Sequence, residues 1–580
     1  MTLSNRFVFI VVGILLLTFI SGCVTIASRA LLPREGIRKG IHAAHIERGV
    51  VTMTRDEVPL VSWVYRPVTM DPTPTILVRL PFAKTLRNET AADVVGRFWA
   101  KRGYTVVIQG TRGRFRSGGE FYPLRNERAD GLDTLNWLAR QSWFDGRLGM
   151  WGGSTFGYTQ WVISDQTDPG PTALHIQIAS TSFYDMFYPG GAFSLESALN
   201  WAVRSHGGRD RIPSNAKLTP GFEGFPLIEA DDRIGEDIPF FNDWVAHQRR
   251  DEYWIGIDDT DRPERLRAPV LLQAGWFDPF LPAQIEDFLR IRKGADPGVA
   301  ASSRLVIGPW AHARSVTLAD GYKPLLYRKA SLGPSIDWFD RHLRGDTSIP
   351  ETAPVRIFVM GDNTWRDEQE WPLARARYVP YYLSSRGHAN SAEGDGLLTI
   401  HAPATEEPRD VYVYDPLSPI PTAGGAMIGP RAGVELQNDI ETRADVLVYT
   451  TAALPEAIEV TGPITLVLHV GTTAPSTDFT AKLVDVHPDG KAFNVCDGIL
   501  RRDYDAGTSE VTIHLWPTSH VFGAAHRIRL EVSSSNFPHY DRSPNTGGDI
   551  ATETRPAKAV QTVHHDAAHP SRLVLPIIPR

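Results

Sequence analysis

Cysteine is almost absent from this 580-residue chain: Cys23 and Cys496 are its whole complement, so no disulfide network holds it and the fold must rest on packing. Runs of basic residues are missing too, as is any stripe in which aromatic and basic residues alternate. With a net charge of −7, the chain offers a phosphate backbone no footing, and nucleic-acid binding falls away as a function. There is no internal repeat and no low-complexity tract, which removes solenoids and repeat arrays. At 580 residues the chain exceeds what one core organises, so two or more folded units are expected.

What is present begins with an unbroken apolar run. Arg6 precedes residues 7–17, all apolar or glycine, and small residues follow too closely for an ordinary membrane span. The run reads as a secretion signal covering residues 1–22. It ends in Ile20-Ser21-Gly22-Cys23, which resembles the lipobox of bacterial lipoproteins. The expectation is cleavage before Cys23, acylation of its thiol, a linker over residues 23–39, and an exported, membrane-anchored bacterial lipoprotein. Cys496 then has no intrachain partner. It lies in an apolar, strand-like stretch and reads as a buried structural thiol.

The chemistry starts at Gly149-Met150-Trp151-Gly152-Gly153-Ser154-Thr155-Phe156-Gly157, a serine held between glycines where an apolar strand turns into a helix. Only small neighbours fit so sharp a turn, which lifts the serine hydroxyl into the open. A serine needs a general base and an acid that orients it. Two later apolar runs end in such groups: residues 268–277 in Asp278, and residues 304–311 in His312. Taken singly, Asp278 reads equally as the N-cap of a helix over residues 282–290, and His312 as a turn residue. Taken together, the order Ser, Asp, His is that of α/β-hydrolases, whose three residues sit at strand C-terminal ends.

These residues also carry a resemblance. The chain resembles the cocaine esterase and X-prolyl dipeptidyl-peptidase group of serine hydrolases, the CocE/NonD family. The likeness runs from Gln109-Gly110-Thr111-Arg112-Gly113 and Ser117-Gly118-Gly119-Glu120-Phe121 through Trp143-Phe144-Asp145-Gly146 and the serine turn. It continues in Gly275-Trp276-Phe277-Asp278, Gly308-Pro309-Trp310-Ala311-His312, Trp338-Phe339-Asp340-Arg341-His342 and Ser533-Ser534-Ser535-Asn536-Phe537-Pro538. It implies Ser154 as nucleophile, His312 as general base and then acid, and Asp278 as the orienting carboxylate. No metal or organic cofactor is implied.

Acyl transfer also needs donors for the oxyanion, and the N–H of Thr155 is the first. The second belongs to the loop after residues 75–80, which reads Pro81-Phe82-Ala83-Lys84. The family places a tyrosine where this chain has Phe82, so a hydroxyl donor is missing and only the Phe82 N–H stands in its place. Loss of one such donor costs about 10²–10³-fold in rate.

Switches in hydrophobic period set the organisation. Strand and helix patterns alternate over residues 40–185 and resume over 256–348, an α/β-hydrolase core in two parts. Residues 186–255 read as an inserted helical cap rich in aromatics, among them Phe183, Phe187, Trp201 and Trp244 close to or within it. These pack inward or line an acyl or leaving-group pocket. Residues 349–580, with short alternating strands such as 355–360 and 464–470, read as a β-sandwich, which the resemblance makes a jelly roll. His564-His565-Asp566 with His569 has spacing a metal could use but reads as a surface turn without one. The function expected is hydrolysis of a small-molecule ester or amide. The alternatives are X-prolyl dipeptidyl-peptidase or acylase activity, or a non-catalytic surface lipoprotein binding glycans through its β-domain.

Overall fold

The computed structural model describes residues 37–579 apart from Met70, Arg209, Arg211, Ile212 and Ala313. The signal-like segment, Cys23 and most of the expected linker lie outside the described residues. Among the described residues no helix is long and apolar enough to cross a membrane.

Ten strands form one mixed sheet: β1 (Ala44–Met53), β2 (Pro59–Pro67), β3 (Thr73–Leu80), β4 (Thr105–Gly110), β5 (Phe144–Gly153), β6 (Ala173–Gln177), β7 (Val270–Phe277), β8 (Arg304–Ala311), β9 (Val355–Val359) and β10 (Thr364–Glu368). Their spatial order is β1-β2-β4-β3-β5-β6-β7-β8-β9-β10. From β4 to β9 every pairing is parallel, and antiparallel strands close both edges. Strands β4, β6 and β7 are buried at every position. That is why they read as continuous apolar runs: helices cover both faces of a parallel sheet, so neither side chain of an alternating pair meets water. Helix Leu332–Arg344 lies against this sheet and stops where Gly345 takes a left-handed φ of 71° and donates its N–H to Arg341 O.

Between β6 and β7 the chain leaves the sheet for short helices, including Tyr184–Phe187, Leu195–Ser205, Asn215–Glu223 and Pro239–Ala246. This is the helical cap that the sequence predicts. Beyond β10 an all-β domain holds eleven strands: β11 (Arg377–Ser384), β12 (Leu397–Thr399), β13 (Asp410–Tyr414), β14 (Leu447–Thr450), β15 (Ile458–Thr472), β16 (Ser476–Val486), β17 (Ala492–Asp503), β18 (Ser509–Phe522), β19 (Arg527–Ser533), β20 (Ala559–His564) and β21 (Arg572–Ile578). Apart from one β12–β14 bridge, these pair antiparallel. Cys496 sits on β17, free and buried, and burial holds its thiol well above the ordinary value.

One expectation needs correction. Residues 355–360 were assigned to the β-domain, yet β9 joins the catalytic sheet, with Leu305 opposite Val355 and Ile307 opposite Ile357. A short apolar strand completes whichever sheet has an open edge in register, and alternation alone does not say which. The two domains meet here: Met360 N–H donates to Ser519 O at 3.0 Å and Val521 N–H to Met360 O at 2.9 Å. Arg501 adds a second tie. With its side chain only 6% exposed, it pairs with Asp478 at 2.6 Å and with Asp541 at 2.8 Å, and Asp541 accepts from Phe193 N–H of the cap at 2.8 Å.

A buried imidazole gives the core a pH dependence. His175, on β6 and fully buried, donates through Nδ1 to Ser335 Oγ at 2.8 Å, because the Ser335 proton goes to Ser331 O. Burial pushes His175 down to about 3. An unfolded histidine takes a proton near pH 6.5, so the neutral core form contributes fully above that pH and loses ground as pH falls towards the folded value. Between pH 7.5 and 5, the unfolding free energy of the wild type should therefore fall by about 2 kcal/mol more than that of His175→Asn, as read by urea denaturation. Equal losses in the two proteins would show that His175 is not held neutral.

Candidate active site

The serine turn is built by exclusion. Ser154 follows β5 with φ 59° and ψ −129°, a backbone that an L-residue adopts only at a cost of about 1–3 kcal/mol. Its neighbours leave no room for anything but glycine. A Cβ on Gly152 would meet the Phe156 Cβ at 2.6 Å, and one on Gly157 the Ala179 Cβ at 2.6 Å. The Ser154 N–H is tied to Gln177 O of β6 at 2.9 Å, and its carbonyl accepts from Gly157 and Tyr158 as the helix Thr155–Trp161 begins.

The other two residues arrive from strands beyond β6. Asp278 follows β7 and is fully buried; His312 follows β8 and is 6% exposed. His312 Nδ1 lies 2.8 Å from Asp278 Oδ2, and His312 Nε2 lies 2.9 Å from Ser154 Oγ. All three sequence-predicted residues thus meet in one hydrogen-bonded line. Asp278 is not the N-cap that its position suggested: Phe280 is the N-cap of helix Leu281–Gly294, and Asp278 Oδ1 accepts from Phe280 N–H at 2.9 Å in the turn that precedes it. Oδ2 remains for the imidazole, so one carboxylate serves both purposes.

A residue that sequence reasoning missed completes the setting. Trp516 of β18 donates its indole N–H to the Asp278 carbonyl at 3.3 Å across 238 positions of chain. No local pattern marks it, because only the docking of the two domains brings it there.

Thr155 opens its helix, so its N–H is an orphan donor beside the Ser154 hydroxyl. On the facing loop, Ala83 N–H is engaged by Asp210 Oδ2 at 2.5 Å. The Phe82 ring packs edge-on against Phe156 with centroids 5.1 Å apart. An aromatic wall leads from the imidazole into the cap: His312 to Phe280 at 5.7 Å, Phe280 to Phe183 at 5.1 Å, and Phe183 to Trp201 at 5.8 Å. Most of the cap aromatics are core, as Phe187 and Trp244 are, but Trp201 stays partly exposed.

Charges of both signs flank the oxyanion loop. The Arg204 guanidinium carbon lies 5.5 Å from the Phe82 ring centroid, and its Nε is buried with no hydrogen-bond partner. Burial and then neighbouring Arg328 hold Arg204 below its ordinary value. Asp210 is engaged by Ala83 N–H and by Asn88 Nδ2.

A doubly wound sheet carrying a serine, a carboxylate and a histidine at the ends of β5, β7 and β8 defines a serine hydrolase of the α/β type. Residues 56–314 match the X-Pro dipeptidyl-peptidase (S15) family, and residues 348–574 match the X-Pro dipeptidyl-peptidase C-terminal non-catalytic domain. The chain is 38% identical over 576 residues to the cocaine esterase of Rhodococcus sp. (strain MB1 Bresler), covering 92% of this chain and 99% of that protein. It belongs to this family of serine esterases and peptidases. Two solved structures share the fold. An aminopeptidase from a marine-sediment Thaumarchaeota archaeon superposes with a TM-score of 0.78 at 24% identity, covering 94% of this chain and 99% of its own. An α-amino acid ester hydrolase superposes at 0.76 and 22% identity, covering 93% and 98%.

The geometry predicts that a fluorophosphonate probe labels the purified protein at Ser154, that Ser154→Ala abolishes labelling, and that His312→Ala slows it about 10²–10⁴-fold. Undiminished labelling of either variant would place the reactive group elsewhere.

Proposed function

We propose that the protein hydrolyses carboxylic esters of small apolar acids through an acyl-enzyme on Ser154. The observation that carries this reading is the continuous Asp278–His312–Ser154 hydrogen-bond line. His312 Nε2 takes the Ser154 proton as Oγ attacks the ester carbonyl. The resulting imidazolium gives that proton to the leaving alcohol, and the neutral imidazole then activates water for deacylation. Asp278 fixes the Nδ1–H tautomer and stabilises the imidazolium. The oxyanion lies between Thr155 N–H and Phe82 N–H, without the tyrosine hydroxyl of the family pattern. The acyl group rests against Trp201, which the buried Phe183 and Phe280 back.

Ester rather than X-prolyl peptide is supported by charge. A dipeptidyl-peptidase must hold a free ammonium group, but the carboxylate at this site's oxyanion loop, Asp210, is already engaged by Ala83 N–H and Asn88 Nδ2, and the Arg204 cation stands against the Phe82 ring. Short-acyl p-nitrophenyl esters should therefore turn over, and Gly-Pro p-nitroanilide should not. Faster turnover of the anilide would reverse the assignment.

Phe82→Tyr supplies a hydroxyl on the oxyanion side and should raise kcat by about 10²-fold. An unchanged or lower kcat would show that the backbone donors already saturate the oxyanion.

A further inference from the structure

A cavity of about 350 Å³ lies where the β-domain meets the catalytic sheet, walled by Phe277, Leu318 and Met360 on one side and by a histidine-rich patch on the other. Phe277 directly precedes Asp278, yet nothing in the hydrolytic chemistry uses this chamber.

The patch is a carboxylate surrounded by imidazoles. Asp485, near the end of β16, is 2% exposed. Its Oδ1 lies 2.8 Å from His526 Nδ1, and its Oδ2 lies 3.0 Å from His520 Nε2 and 3.6 Å from His487 Nε2. The His487 and His526 rings stand 4.4 Å apart. Two imidazoles satisfy Asp485 as hydrogen-bond donors. The third does not fit that account, because 3.6 Å is beyond hydrogen-bond reach even though His487 Nε2 faces the same oxygen. Donor atoms of Asp485, His487 and His526 all lie within 4.8 Å of one another.

We propose that Asp485, His487 and His526 bind a divalent transition-metal ion of the zinc class. Zinc–nitrogen and zinc–oxygen bonds run about 2.0–2.2 Å, which sets the edges of a tetrahedron near 3.4 Å. The separations of 2.8 Å to His526 and 3.6 Å to His487 from the Asp485 carboxylate bracket that edge. Two imidazoles and one carboxylate suit a borderline ion: there is no thiolate for a soft one, and there are too few oxygens for calcium or magnesium. The ion would be structural. His487 belongs to the turn closed by His487 N–H to Lys491 O, and His526 to the turn before β19. His520 lies on the strand whose Ser519 and Val521 pair with Met360 of the catalytic domain. One ion would brace both turns against Asp485, which holds His520 of that docking strand.

The other imidazole cluster makes the contrast. His564, Asp566 and His569 also come together, but all three are only half-buried, and Asp566 Oδ1 is engaged by its own turn, accepting from Ala568 N–H at 2.8 Å and His569 N–H at 2.9 Å. His565, from the same stretch, is no surface residue: it is 1% exposed and bonded to Asp410 and Glu407, each at 3.0 Å.

The test is titration of the EDTA-treated, purified protein with Zn²⁺ by calorimetry and with Co²⁺ by visible absorption. The site predicts one Zn²⁺ per chain, a tetrahedral Co²⁺ spectrum, and a rise in unfolding temperature on adding Zn²⁺. His487→Ala should weaken binding at least tenfold and abolish that rise, while His569→Ala leaves both unchanged. Fluorophosphonate labelling of Ser154 reports that each variant is folded; His487→Asn serves if His487→Ala is not. No stoichiometric binding by the wild type, binding that survives loss of His487, or binding lost only in His569→Ala would each overturn the proposal.

Discussion

The molecule is organised around a backbone that its central residue resists. Ser154 is held at φ 59°, ψ −129°, outside the regions that an L-residue prefers. Nothing local would keep it there. The conformation persists because Gly152 and Gly157 admit their neighbours at distances no side chain tolerates, and because β6 ties down the Ser154 N–H. The cost is offset by a sheet whose central strands are buried throughout. The strain then has a use: the hydroxyl is raised to the level where the ends of β7 and β8 deliver Asp278 and His312.

The C-terminal domain takes part in that arrangement. Trp516 reaches the Asp278 carbonyl, Met360 pairs with β18, and Arg501 with Asp541 joins the β-domain to the cap at Phe193. The carboxylate that orients the imidazole is thus fixed from two sides, by the turn that precedes helix Leu281–Gly294 and by a tryptophan from the other domain. Breaking a buried pair such as Arg501 with Asp478 leaves a charge uncompensated, which makes domain docking and site geometry parts of one cooperative structure.

The site was legible in the sequence because each of its residues sits at a place with its own signature. Ser154 stands between glycines, and Asp278 and His312 end apolar runs. The cap and the β-domain were legible from changes of period. What escaped reading depends on contacts between distant segments. Strand β9 carries the same alternation as the β-domain strands and chooses the catalytic sheet only through register. Trp516 lies 238 positions from its partner. Asp485, His487, His520 and His526 follow no ligand spacing and converge only when β16, β18 and two turns fold together. His565 looks from its neighbours like part of a surface turn, yet the β20 register carries it inward to Asp410.

The central claim is that Ser154 carries the acyl group between substrate and water. The measurement closest to it is mass spectrometry of the protein mixed briefly with p-nitrophenyl acetate, quenched in acid and digested. An acetyl group on the peptide containing Ser154, formed within the first turnover and absent from Ser154→Ala, is the predicted result. Steady turnover of the ester with no adduct, or with the acetyl group on another residue, would contradict the account.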